Sequence, residues 1–153
     1  MPLLHSEAEA ALLEAGAQSH RLAERYDQAA RQMAEHDDSA AQGEKEQALR
    51  QRFADYAGTL ADQAAQLDDS ARSRNLLPRE PNTELETLKQ LADQIQVLLD
   101  DRRSMALARR FMEEEATLLK ELEQASELDP CPQSVTASLS GSHERLDELG
   151  EFG

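Results

Sequence analysis

The chain has 153 residues, enough for one domain of ordinary size. Sixteen Lys and Arg stand against 31 Asp and Glu, a formal net charge of -15, whose field repels polyanions. Nucleic acid and anionic membrane surfaces are therefore excluded as expected partners. A single Cys rules out an internal disulfide framework, and with no Trp and 3% aromatics the core must come from Leu, Ala and Met.

The N-terminus, Met1-Pro2-Leu3-Leu4-His5-Ser6, lacks a cationic lead-in and meets acids at Glu7 and Glu9. It does not read as a signal peptide, and no apolar run approaches the ~20 residues of a spanning helix. With one thiol, the expected setting is a reducing cytoplasm.

The first helix opens at Ser6, with Glu9 completing a capping box. Ala8, Leu12, Ala15, Ser19, Leu22, Tyr26, Ala29 and Met33 follow at alternating spacings of four and three, one helical stripe ending near His36. Asp37-Asp38-Ser39 offers caps for a second helix, whose stripe is Leu49, Phe53, Tyr56, Leu60, Ala64, Leu67 and Ala71. Prolines within residues 75–82 break that pattern. A third helix is expected from Thr83, capped with Glu86 and carrying Leu85, Leu88, Leu91, Ala92, Ile95, Val97, Leu98 and Leu99. After a turn at 100–104, a fourth carries Leu107, Ala108, Phe111, Met112, Leu118, Leu119, Leu122 and Ala125, and stops before Asp129-Pro130.

No stretch alternates as a half-buried strand would. The expectation is an all-α, antiparallel four-helix bundle over residues 1–128. Residues 129–153, with Pro130-Cys131-Pro132 and then Ser, Thr and Gly, read as a flexible acidic tail with a candidate short helix at 142–149.

Metal chemistry in such a bundle would use a Glu from two helices and Glu-x-x-His from the other two. The residues three before His20, His36 and His143 are Ala17, Met33 and Ser140, and Pro2 precedes His5, so that motif is absent. No phosphate loop or Ser/His/Asp arrangement is present either. The expectation is no catalytic residue, no metal ligand and no cofactor.

Some polar residues interrupt the seams. Glu115 falls where the last stripe expects an apolar side chain, Ser19 does the same in the first helix, and Tyr26 and Tyr56 bring hydroxyls inward. These four are candidates for a polar pocket holding a carboxylate of raised pKa. Alternatively, Glu115 sits at the stripe edge and reaches solvent or pairs with an Arg. His20, beside Ser19, reads as a boundary residue, and Cys131 as an exposed thiol. Arg102, Arg103, Arg109 and Arg110 are the one basic concentration and the candidate partner-binding patch. Local pairing of Arg109 with Glu113 and Arg110 with Glu114 is the plainer expectation.

Taken in order, Leu12-Leu13-Glu14, Tyr26-Asp27-Gln28-Ala29-Ala30, Phe53-Ala54-Asp55-Tyr56-Ala57, the prolines at 78–81, Leu98-Leu99-Asp100-Asp101, Glu113-Glu114-Glu115 and Leu118-Leu119-Lys120-Glu121-Leu122 resemble a small bacterial ferritin-like bundle, sometimes stress-associated. The resemblance covers residues 6–127 and implies a ferritin-like fold; without Glu-x-x-His it brings no metal ligands. Residues 75–82 reach about 27 Å at ~3.4 Å each, against about 45 Å for a helix of roughly 30 residues. Simple up-down-up-down order is therefore the easier topology.

The function expected is that of a non-catalytic acidic helical bundle acting through protein–protein contacts, with a protein partner or a second copy of itself. Leu13 and Leu91 are the apolar positions available for a dimer, and a stress response is the suggested setting. The alternatives are a divergent ferritin-like metal binder using carboxylates, and an adaptor whose tail at 130–153 binds a partner.

Overall fold

Helix α1 (Glu7–Glu35) begins at the expected capping box. The Glu9 amide donates to Ser6 Oγ at 3.1 Å, and the Ser6 amide donates to Glu9 Oε1 at 3.0 Å. Two amide donors at the helix entrance are thereby satisfied. The computed structural model describes residues 6–35, 44–77 and 103–151. The caps expected at Asp37–Ser39 and the helix expected from Thr83 to Leu99 lie outside the described residues.

Helix α2 (Glu44–Ser73) ends at Asn75, whose φ of 62° is left-handed. The Leu76 amide donates to the Ala71 carbonyl at 2.9 Å and the Asn75 amide to that of Arg72 at 3.0 Å. This pair of bonds is a Schellman C-cap, and Asn tolerates the left-handed conformation better than most residues. The helix is thus closed by Asn75, ahead of the first proline. Leu76 folds back into the core.

Helix α3 (Arg103–Ala125) is the expected last helix. Helix α4 (Gln133–Gly150) was not expected at this length: the supposed flexible tail is an 18-residue helix packed against the bundle. Val135, Ser138, Ser142, Arg145 and Leu149 are buried along it at spacings of three and four. An apolar scan passes over this stripe because three of its five members are polar.

Every residue of the α1 and α2 stripes is buried, as are Leu107, Ala108, Phe111, Leu118, Leu122 and Ala125 of α3. Each fully buried Leu contributes about 1.5–3 kcal/mol relative to exposure. At one level of the core the aromatic rings meet. Tyr26 stacks on Phe111 with centroids 4.2 Å apart and contacts Phe53 and Tyr56 at 5.4 and 5.3 Å. Leu13, a residue expected to remain for self-association, is buried within this chain's own core; Leu91 lies outside the described residues.

Helix α1 packs on α2 and α3, α3 on α4, and α2 more lightly on α4. Residue pairs give the directions. Gly16–Asp68, Ser19–Gln63 and Tyr26–Phe53 set α2 antiparallel to α1, and Tyr26–Phe111 with Arg25–Glu114 does so for α3. Glu115–Arg145, Tyr56–Glu148 and Ser70–Ser134 set α4 antiparallel to both α3 and α2. The order is therefore up-down-down-up among the described helices; α3, the expected last helix, runs antiparallel to α1 as up-down-up-down order requires, and the helix expected between α2 and α3 lies outside the described residues.

Candidate functional site

At the middle of the bundle each helix contributes a polar side chain to the interior. Ser19 comes from α1, Gln63 from α2, Glu115 from α3, and Ser142 and Arg145 from α4, all buried. Burial of unpaired polar groups costs free energy, so their partners decide whether the layer is tolerated.

Glu115 is fully buried, so the reading that it reaches solvent is overturned. Its Arg partner is remote in sequence: Arg145 Nε donates to Glu115 Oε2 across the α3–α4 interface, and Arg145 Nη2 donates to Ser142 Oγ at 3.1 Å. Burial pushes the Glu115 carboxyl above its ordinary range, while the Arg145 charge and hydrogen bond pull the other way. Gly141, one turn before Arg145, lets the guanidinium fold inward. A Cβ there would stand 3.1 Å from Arg145 Nη1.

Ser19 accepts a hydrogen bond from Gln63 Nε2 at 3.0 Å, which closes the α1–α2 side of the layer. One helical position on, His20 Nε2 lies 2.8 Å from Asp68 Oδ2. Asp68 packs over Gly16, where a Cβ would come within 2.8 Å of its Oδ1.

The two tyrosines sit differently. Tyr56 Oη donates to Glu148 Oε1 at 2.9 Å, and Glu148 also pairs with Arg52, so this end of the layer opens toward the α2–α4 surface. Burial, then the bond to Glu148, raises the Tyr56 pKa. Tyr26 is completely buried; burial and the negative charge of Glu115 raise its pKa well above the ordinary phenol value. Glu115, Ser19 and Tyr26 thus do share one interior region, and Tyr56 borders it. Gln63, Ser142, Arg145 and Glu148 were missed. For the α4 residues, the signal available was the three-four spacing from Val135 to Leu149.

Of the candidate arginine patch, the side chains of Arg109 and Arg110 are described. Arg102 and the Arg103 side chain lie outside the described residues. Arg109 is exposed, and Arg109 and Arg110 share a shallow surface depression with Glu113 and Glu114. Glu114 forms an ion pair with Arg25 of α1. Carboxylates are interleaved with these two cations.

Among the described residues, no group of three or more His, Cys, Asp or Glu side chains is placed to hold a metal ion, and no helix is long and apolar enough to cross a membrane. Comparison with known proteins finds no matching family model, no matching curated protein and no matching solved structure.

Proposed function

We propose that this chain is a non-catalytic acidic helical-bundle protein of the cytoplasm that works through protein–protein contacts. The observation that carries the reading is the Glu115–Arg145 pair. The one fully buried carboxylate at the centre of the described bundle is neutralised by a cation of the same chain, so the interior has little net charge to offer a metal ion or a charged substrate. Binding is left to the outer faces, where the acidic charge is spread over all four helices.

The test is a pair of measurements on purified native protein. Chemical cross-linking in intact cells followed by mass spectrometry is expected to give a defined protein adduct, a second copy included. Elemental analysis of the same preparation is expected to give metal far below one equivalent. Stoichiometric metal, or the absence of any adduct, would overturn the reading.

One observation favours a second reading, a divergent ferritin-like carboxylate metal binder. The described helices run up-down-down-up, which is also the helix order of ferritin-like bundles. On this reading Glu115 would be a ligand, and iron or manganese at one equivalent would disappear in the Glu115→Ala variant.

A further inference from the structure

A groove of about 280 Å³ runs between α2 and α4, where Thr59, Asp62, Gln63 and Gln66 of α2 face Ser138 and Gly141 of α4. The two helices pack only lightly on each other, which leaves the groove open. No apolar side chain larger than Ala137 lines it.

One buried donor is turned toward its floor. Arg145 is 3% exposed; its Nε is taken by Glu115 and its Nη2 by Ser142, while Nη1 has no partner. A long helical side chain leans back over the turn before it, which lays the guanidinium along Gly141. The point where a Cβ of Gly141 would stand lies 3.1 Å from Arg145 Nη1 and 3.7 Å from Gln63 Oε1. The open side of Gly141 thus points across the interface to α2, with a donor and an acceptor both beside it. A buried guanidinium N–H without an acceptor costs free energy that a ligand supplying one recovers.

We propose that the α2–α4 groove at Gly141 is a binding site for a small neutral molecule bearing a primary carboxamide.

The chemistry of the two atoms selects this ligand. A carboxamide carbonyl accepts from Arg145 Nη1 while its amino group donates to Gln63 Oε1, the Gln63 Nε2 being already given to Ser19. A carboxylate has no donor for Gln63 Oε1 and would meet Asp62 in the same groove, and the Arg145 charge is already balanced by Glu115. A cation would face the guanidinium. The volume lies near the lower bound of ligand cavities, roughly 300 Å³, so the molecule is small, and the polar lining gives it no apolar body to bury. The inference goes beyond the protein-contact reading and stands or falls separately from it.

Acetamide is the probe, titrated into the isotope-labelled full-length protein and followed by nuclear magnetic resonance. Saturable shifts are expected at the backbone amides of Ser138 and Gly141 and at the Gln63 side-chain amide, with a Kd of roughly millimolar order for so small a molecule. Acetate, which leaves Gln63 Oε1 without a donor, is expected to bind about tenfold more weakly or less. In Gly141→Ala the new Cβ takes the point shared by the two atoms, and the affinity for acetamide should fall about tenfold or more. Gly58→Ala, where a Cβ meets nothing within 4 Å, should bind as the native protein does. The absence of a saturable shift, shifts centred elsewhere, or acetate binding as tightly as acetamide would each overturn the proposal. So would a Gly141→Ala protein of native helicity that binds acetamide unchanged; if that variant loses its helicity, the position of the shifts in the native protein decides.

Discussion

Glu115 and Arg145 stand 30 residues apart in the chain and are bonded side chain to side chain in the core, one from α3 and one from α4. Neither is explained by its own helix. Glu115 interrupts an otherwise apolar stripe, and Arg145 lies in a segment rich in Ser, Thr and Gly; each makes the other's burial tolerable.

Removing the cation alone should therefore be costly. Arg145→Met leaves a buried carboxylate without its counter-charge and is expected to destabilise the protein by about 3–5 kcal/mol near neutral pH. The loss should shrink as the pH falls, because a protonated Glu115 needs no counter-charge. The double variant Glu115→Leu, Arg145→Met should recover most of the lost stability, since an apolar pair of similar volume often replaces a buried ion pair without penalty. Urea denaturation of both variants over a pH series measures each term. A double variant no better than Arg145→Met would contradict the pairing.

Alkaline behaviour follows from the tyrosines. The chain has two, and both are held above the ordinary phenol value, mainly by burial. A group whose folded pKa is raised contributes stability that is fully present below its unfolded value and is lost as the pH climbs toward its folded value. The ultraviolet tyrosine titration should thus be displaced above pH ~10 and coincide with loss of helical circular dichroism. Ordinary titration of either tyrosine with the helices intact would count against their burial.

Truncation after Asp129 tests whether α4 belongs to the fold. Without α4, Glu115 loses Arg145, Tyr56 loses Glu148, and the faces of α3 and α2 beneath Val135 and Leu149 are uncovered. The expected result is loss of a cooperative unfolding transition, with helicity falling by more than the 18 residues removed. A truncated chain that melts as sharply as the native one would show that the first three described helices stand without it.

At the end of α2, Asn75 holds a left-handed conformation. Asn75→Ala is expected to cost about 1–2 kcal/mol, the usual penalty for a side chain bearing Cβ in that region, whereas Asn75→Gly should be neutral or stabilising. Thermal melts of the two variants should diverge in opposite directions from the native protein, or the Gly variant should coincide with it. Equal losses in both would place the helix terminus elsewhere.

Sequence alone determined the helical stripes of α1, α2 and the segment 107–125, because strong apolar periodicity fixes which face of a helix leaves water, whatever that face later meets. It also marked Glu115, Ser19, Tyr26 and Tyr56 as polar intrusions at inward positions. Only the tertiary structure decided that residues 133–150 form the fourth described helix and that Arg145 is the partner of Glu115. The physical reason is that α4 joins the core through Ser138, Ser142 and Arg145 as much as through Val135 and Leu149. Buried polar side chains are stabilised by partners on other helices, and which partners meet is set by how the helices are ordered in space.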